Sequence, residues 1–484
     1  MSVRNYLHAD NKGIRFLVLQ NTFWLGASEA VSRGLWLLLL IWAARIFSPA
    51  DFGKLAIAFS FVSLITIVAD FGLTHIGIRE FSKDSGNEED FSSFFTLRLV
   101  FFLIAFLVII MGSAVFIDDG ETRMLCWVFG VFSLAREFPK SVFTLLRARQ
   151  VMHFEAMLRI GQAILIGIAG FFALALGREV LFFAQISAIS SVITSMGILV
   201  WFFLRVHPFK LVWRREVLKK FLVPSLSAGA AMAFAGVYIH TDTVMLGIWK
   251  GEHVAGVYGA AYRIAGIPML VLTFLSMGFY PALGKAFSQS RESFQHILRF
   301  CWPIILLCVV PIGVGGVILA SPLTGLFYGE DYQAGAPVLQ LLFIMVVLAF
   351  LANIFSMAFL IARKEHLYTL AAGAAALANV SLNILLIPRF GMMGAAASTV
   401  FAYALLLGLQ AFLSLRLGLF DHVLWHSGML RLVLFLLTAG AGMAGGILLG
   451  LANGLHPFAV GLLALLVYCG IILIGWKKQM VQFS

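Results

Sequence analysis

Apolar runs of membrane-spanning length, separated by short polar breaks, fill this chain from end to end. By hydropathy they fall at about 22–46, 52–78, 93–117, 122–146, 153–176, 180–204 and 219–248. They continue at about 254–283, 297–320, 334–362, 366–387, 391–415, 428–452 and 456–476. A helix needs about 20 mostly apolar residues to cover about 30 Å of hydrocarbon. Lipid offers no hydrogen bonds to an open backbone, so such runs predict helices and not strands. The pattern therefore predicts an all-α polytopic membrane protein with about 14 transmembrane helices. Composition points the same way: 61% of residues are hydrophobic, only 12% are charged, and mean hydropathy is +0.98. Those values exclude an ordinary soluble globular domain.

Charge then orients the helices. The N-terminus and the loops after even-numbered spans hold 21 Lys and Arg, from Arg4 and Lys12 to Lys477 and Lys478. The alternate loops hold six: Arg45, Lys54, Arg123, Arg178, Lys250 and Arg389. Positively charged loops stay on the cytoplasmic side, so both termini are expected inside and the number of spans is expected to be even. The formal net charge of +11 then needs no nucleic-acid partner, because anionic lipid is the ordinary neighbour of inner-face charge. Cys126, Cys301, Cys308 and Cys469 all fall inside apolar spans and are expected as free thiols. No short apolar core with a small-residue cleavage site precedes the first span, so no cleavable signal is expected. Ile14, Phe16, Leu17 and Leu19 suit either an interfacial helix or an unstructured tail.

Polar breaks also repeat. Pro49-Ala50-Asp51-Phe52-Gly53 follows the first span, and Glu252-His253-Val254-Ala255-Gly256 follows the seventh. Leu145-Leu146-Arg147-Ala148-Arg149-Gln150 closes the fourth span, and Leu360-Ile361-Ala362-Arg363-Lys364 closes the tenth. Six spans separate the members of each pair, so the halves are expected to be parallel repeats, a common transporter plan. The expected organisation is residues 1–210 for spans 1–6, residues 211–420 for spans 7–12, and residues 421–484 for an appendage of two helices. The basic stretch with Arg205, Lys210, Arg214, Arg215, Lys219 and Lys220 would link the repeats. The Gly/Ala-rich run from Ala439 to Gly446 would let the appendage pack closely.

Ionisable side chains at membrane depth need a partner or an aqueous cavity. Glu29 and Arg33 lie four residues apart in span 1 and either satisfy each other or offer a guanidinium to an anionic head group, tuned by Glu29. Arg136, Glu137 and Lys140 surround Pro139, which should bend span 4; the cations line a cavity there, or Lys140 extends to the interface. Asp242 and Arg263, on consecutive spans, suit an ion pair or direct substrate contact by Arg263. Asp70 either serves a coupling cation or balances nearby arginines. His240 reads as a helix-interior histidine. The deep cations Arg33, Arg136 and Arg263 favour an anion such as a pyrophosphate, which a guanidinium grips through a bidentate fork. No phosphate loop, nucleophile elbow or metal-ligand spacing occurs, and the outer loops are short, so no catalysis, cofactor or metal is expected.

Several ordered motifs resemble the bacterial polysaccharide (O-antigen and exopolysaccharide, Wzx-type) flippases. They are Arg45-Ile46-Phe47-Ser48-Pro49-Ala50-Asp51-Phe52-Gly53, Asp70-Phe71-Gly72-Leu73, Asp242-Thr243-Val244-Met245-Leu246-Gly247 and Tyr262-Arg263-Ile264. Phe327-Tyr328-Gly329-Glu330-Asp331-Tyr332 and Gly391-Met392-Met393-Gly394 complete the set. This family is grouped with MATE exporters and lipid II flippases. The resemblance implies two pseudo-symmetric six-helix lobes forming a V around an alternating cavity, plus two C-terminal helices, in the inner (plasma) membrane. It implies translocation of a polyprenyl-pyrophosphate-linked oligosaccharide for cell-surface polysaccharide biosynthesis, next to polymerase and chain-length machinery. Cavity arginines carry over in kind to Arg33 and Arg263. A MATE-type cation-coupled drug exporter, a membrane-embedded glycan polymerase or ligase, and a non-transporting scaffold are the rival readings.

Overall fold

The computed structural model describes residues 11–83, 88–177, 179–206, 210–421, 423 and 427–477. The described residues are helical almost throughout, and no strand occurs among them. Ten of the described helices are long and apolar enough to cross a membrane. The chain divides into two compact units, one ending at Gly256 and one beginning at Val257.

The first unit contains α1 (Asn11–Ile46), α2 (Pro49–Asp70), α3 (Leu73–Lys83), α4 (Glu88–Phe116) and α5 (Gly120–Glu137). It continues through α6 (Pro139–Ala148), α7 (Met152–Ala175), α8 (Val180–Arg205) and α9 (Arg215–Lys250) to the first turn of α10 (Glu252–Gln289). Residues 1–10 are outside the described set; α1 is already helical at Asn11, so Ile14, Phe16, Leu17 and Leu19, read as either an interfacial helix or an unstructured tail, are helical.

Local sequence explains the breaks. Ser48 caps α2: its hydroxyl accepts from the Asp51 backbone N–H at 3.2 Å and donates to Asp51 Oδ2 at 2.7 Å, with Pro49 opening the helix. Asp119 caps α5 through the backbone N–H and hydroxyl of Thr122, both at 2.7 Å. Burial works against ionisation of this carboxyl, but the hydrogen bonds from Thr122 prevail and hold it below the usual carboxylate range. Pro139 does more than bend span 4. It opens a new helix directly after Phe138, so α5 and α6 are separate elements.

The turns paired by the repeat are alike in detail. Gly53 is the fifth residue of α2 and Gly256 the fifth of α10. They pack against each other's turns: a Cβ on Gly53 would strike the Glu252 carbonyl, and one on Gly256 would strike the Pro49 carbonyl. Helix α6 and helix α12 (Ala336–Ile361) also terminate the same way. Gln150 and Arg363 both take left-handed backbone angles, with φ of 59° and 57°. The next N–H reaches back five residues in each case, Val151 to Leu146 O at 3.0 Å and Lys364 to Phe359 O at 2.8 Å. Both are Schellman endings built without glycine. The basic linker is partly tied down as well. Arg214 pairs with Glu89 at 2.6 Å and Lys220 with Asp90 at 2.9 Å, both acids at the start of α4.

The second unit holds the rest of α10, α11 (Arg291–Tyr328), a short 3-10 turn (Glu330–Gly335), α12, α13 (Glu365–Arg416), α14 (Ser427–Ala452) and α15 (Pro457–Lys477). Helix α13 is two arms joined at a kink. Gly391 has φ 54° and ψ −132°, and a Cβ on Gly394 would lie 2.5 Å from the Leu386 carbonyl, so the chain doubles back there. Helices α14 and α15 pack on α11 through Leu319, Leu436, Ala439, Met443 and Tyr468. Gly440 brings the Val310 side chain within 2.9 Å of where a Cβ would stand, the close approach expected of the Gly/Ala run. All four cysteines are free.

Candidate functional site

Two clusters of ionisable groups stand within the helices of the first unit. The first is centred on α1, α6 and α7. Glu29 receives Arg33 Nε at 2.5 Å from its own helix and Arg159 Nη1 at 2.8 Å from α7. Glu155, fully buried at the start of α7, receives both arms of Arg147 from α6 at 2.6 and 2.7 Å, with Arg159 a further 3.7 Å away. The fork of Arg147 matches a carboxylate in two places at once, the geometry only a guanidinium offers. Asn21, three turns into α1, anchors that helix to the turn after α6, bonding Gln150 O and Oε1 at 3.3 and 3.2 Å.

Arg136 stands apart from those pairs. It projects from the last turn of α5, 5.4 Å from the Phe132 ring centroid, and has no carboxylate at ion-pair distance among the described residues. Its neighbour Glu137 pairs with Lys140 across the Pro139 break at 2.6 Å. Lys140 is thus turned to an acid, and it is not a second cation beside Arg136. Arg136 and Arg159 line a small cavity of about 40 Å³ together with Ser32, Trp36 and Gln162.

The second cluster joins α2, α3, α4 and α6. Arg98, 1% exposed, donates to the Asp70 carboxylate and the Thr74 hydroxyl, and reaches Ser141 Oγ at 3.4 Å. Thr74 Oγ1 donates to Asp70 at 2.6 Å. Asp70 itself ends α2, where Phe71 turns into the left-handed region with φ 37° and Gly72 follows at 77°. Of the two readings of Asp70, balance against an arginine is the one its geometry matches.

The sequence reading missed Arg98, Arg159 and Glu155. Glu155 and Arg159 repeat the acid-then-base spacing of Glu29 and Arg33, a signal that was available. Of the residues expected to bind substrate, Glu29 and Arg33 are brought together, and Arg33 is 56% exposed. Arg136 faces the small cavity. Asp242 is fully buried on α9. Arg263 lies in the second unit on α10, next to an aromatic set in which Tyr328 OH donates to Ala260 O at 3.1 Å. Among the described residues, the fully buried polar side chains of the second unit are neutral, while Arg299 keeps its Nε buried on α11. Asn383 donates to Asn379 at 3.2 Å, and Asn379 to Thr399 at 3.5 Å across the two arms of α13. Ser356 donates to Gln410 Oε1 at 3.2 Å. Among the described residues no group of His, Cys, Asp and Glu is placed to hold a metal ion.

The chain resembles known proteins in sequence and in fold. The family model described as polysaccharide biosynthesis protein matches residues 18–287, and the MatE model matches residues 228–385. The teichuronic acid biosynthesis protein TuaB of Bacillus subtilis is 22% identical over 296 residues, 59% of each chain. The probable low-salt glycan biosynthesis flippase Agl15 of Haloferax volcanii is 23% identical over 168 residues, 34% of this chain and 36% of its own. These matches span between about a third and three fifths of the length of the curated relatives. In fold, the lipid II flippase MurJ in an inward closed conformation superposes with a TM-score of 0.71 at 17% identity, covering 94% of this chain and 99% of that one. An inward-facing multidrug resistance MATE family transporter of the MOP superfamily gives 0.65 at 16% identity, covering 85% and 99%. A match to its model over more than half its length makes this multi-pass membrane chain a member of the polysaccharide biosynthesis protein family.

Proposed function

We propose that this protein is a flippase that carries a polyprenyl-pyrophosphate-linked oligosaccharide from the cytoplasmic to the outer face of the plasma membrane by alternating access. The observation that carries the reading is the surplus of guanidinium groups in the apolar surroundings of the first unit. Around Glu29 and Glu155 stand Arg33, Arg136, Arg147 and Arg159, four cations to two acids. A protein keeps such a surplus within lipid at a cost, and an anionic substrate group offsets it. A cation exporter would need the opposite balance, with carboxylates left over. Names of relatives add support: Agl15 is called a glycan biosynthesis flippase, and another relative, from Shigella dysenteriae, a putative O-antigen transporter.

In this reading the exposed fork of Arg33 grips the pyrophosphate, and Glu29 holds it in position and competes for it on release. Arg263 serves as a further grip, and Arg136 adds positive potential. Asp70 and Asp242 hold charge balance in the moving helices. The chain crosses the membrane about 14 times, with both termini in the cytoplasm, the last two helices forming an appendage to two repeated lobes. Polymerase and chain-length proteins would take the product outside, and no chemical step falls to this chain.

The test is movement of a fluorescent polyprenyl-pyrophosphate oligosaccharide in proteoliposomes, for wild type, Arg33→Ala and Arg263→Ala. Wild type should translocate the lipid, and each neutral variant should slow it at least about tenfold, the loss of about 1.4 kcal/mol of anion grip. Transfer or lengthening of the glycan by purified protein would replace this reading with an enzymatic one. Full transport by both variants would remove the arginines from the substrate path.

A further inference from the structure

The small cavity that Arg136 lines has donor-bearing side chains on one part of its wall and Leu39, Ala163, Ile166 and Gly167 on the rest. Ser32 Oγ and Trp36 Nε1 on α1 are buried without a hydrogen-bond partner, and both residues line it. A buried donor left unpaired costs about 1–3 kcal/mol, so two on one wall call for an acceptor. Arg136 and Arg159 complete the lining. Arg159 is committed to Glu29 and Glu155, whereas Arg136 has no carboxylate at ion-pair distance among the described residues. Gln162 also turns its amide N–H groups away from this need, donating to Ser195 Oγ at 2.8 Å and Thr194 Oγ1 at 3.3 Å. No carboxylate lines the space. An acceptor-only ligand with one negative charge answers both deficits, the two idle donors and the one uncompensated guanidinium.

We propose that this pocket is a resident site for a single small inorganic anion of halide type, with chloride as its ordinary occupant. The cavity, about 40 Å³, has room for several water-sized centres at about 10–15 Å³ each, enough for one halide and its remaining water. A sugar or a pyrophosphate does not fit. Every lining group belongs to α1, α5 or α7 of the first unit, so the bound ion would tie three helices together. With the ion in place the grip on the substrate falls to Arg33 and Arg263, and Arg136 adds positive potential to it only when the site is empty. The site is independent of the flippase reading, since a chain with any cargo could hold it.

The experiment is thermal unfolding of the purified protein in detergent as potassium chloride replaces potassium gluconate at constant ionic strength. Wild type should gain about 3 °C as chloride rises about 100-fold above its dissociation constant. Arg136→Gln should lose that gain, while Arg123→Gln, in the first turn of α5 at the far end of that helix, keeps it. Bromide should quench a saturable part of the tryptophan emission in wild type, and Trp36→Phe should lack that part; this reading stands even if Arg136→Gln fails to fold. Equal unfolding in chloride and gluconate together with no saturable quenching would overturn the proposal and leave water in the pocket. A gain in phosphate but not in chloride would overturn the halide assignment in favour of a phosphoryl group. Retention of the chloride effect in both Arg136→Gln and Trp36→Phe would place the ion elsewhere and equally overturn it.

Discussion

The two compact units bury polar groups by different means. In the first, charge meets charge: Arg98 with Asp70, Arg147 with Glu155, and Arg33 and Arg159 with Glu29. In the second, amides and hydroxyls meet each other along α13, through Asn379, Asn383, Thr399 and Gln410. Neutral bonds between membrane helices average about 0.6 kcal/mol each, because the separated helices find other partners. A buried charge has no such freedom, and losing its partner costs several times more. The first unit is thus held by a few interactions of high consequence and the second by many of low consequence.

Asp70→Asn offers the largest effect that would test this contrast. Arg98 is 1% exposed, and the substitution leaves its charge without a carboxylate. A cost of about 3–5 kcal/mol is expected, read as a lower melting temperature and a loss of monodisperse protein in detergent. Replacing both partners, Asp70→Leu with Arg98→Met, should recover most of the loss, because no charge is then stranded. If Asp70→Asn unfolds like wild type, the pair is not what holds α2, α3 and α4 together. Asp70 would then be open to a cation-coupling role.

Backbone proximity gives the next effect, now in the second unit. Gly394→Ala puts a Cβ against the Leu386 carbonyl at the point where α13 doubles back, and that backbone has little room to yield. About 1–3 kcal/mol of destabilisation is expected. Gly446→Ala, on α14 with nothing within 4 Å of the new atom, is the matched control and should change stability little. Equal melting of the two variants would mean that the turn at Gly391 relaxes freely.

Much of the helical architecture could be read from the chain because hydrophobic length is the dominant constraint in lipid. The matching turns at Gly53 and Gly256 were legible as a repeat of local sequence, whereas their close approach to each other's backbone was not, and at Pro139 a bend was expected where a new helix begins. Glu29 with Arg33 was legible as a spacing on one helix. Arg98 was not, because it sits in the run Phe94-Phe95-Thr96-Leu97-Arg98-Leu99-Val100-Phe101, in a span of mean hydropathy 2.9, and averaging conceals one cation. Its acid is 28 residues away, a separation that only packing closes. Arg159 was legible by its spacing from Glu155, but its shorter contact, with Glu29 on another helix, was not. The donors Ser32 and Trp36 carry no charge at all, so the cavity they line had no signature before the helices were assembled.

The smallest expected effects are also the ones that isolate charge from location. Ser356→Ala removes the hydroxyl that donates to Gln410 Oε1 in the second unit. Ser191→Ala removes a neutral bond in the first unit, from its hydroxyl to Phe132 O at 3.0 Å, which joins α8 to α5. Both serines bridge two helices, and each variant should lose about 0.6 kcal/mol, a difference measurable by unfolding in mixed detergent. Equal small losses would mean that the first unit owes its sensitivity to its ion pairs and not to tighter packing in general. A loss at Ser191 several times that at Ser356 would point instead to the close approach of α5 and α8. The comparison between the units would then rest on helix contact before charge.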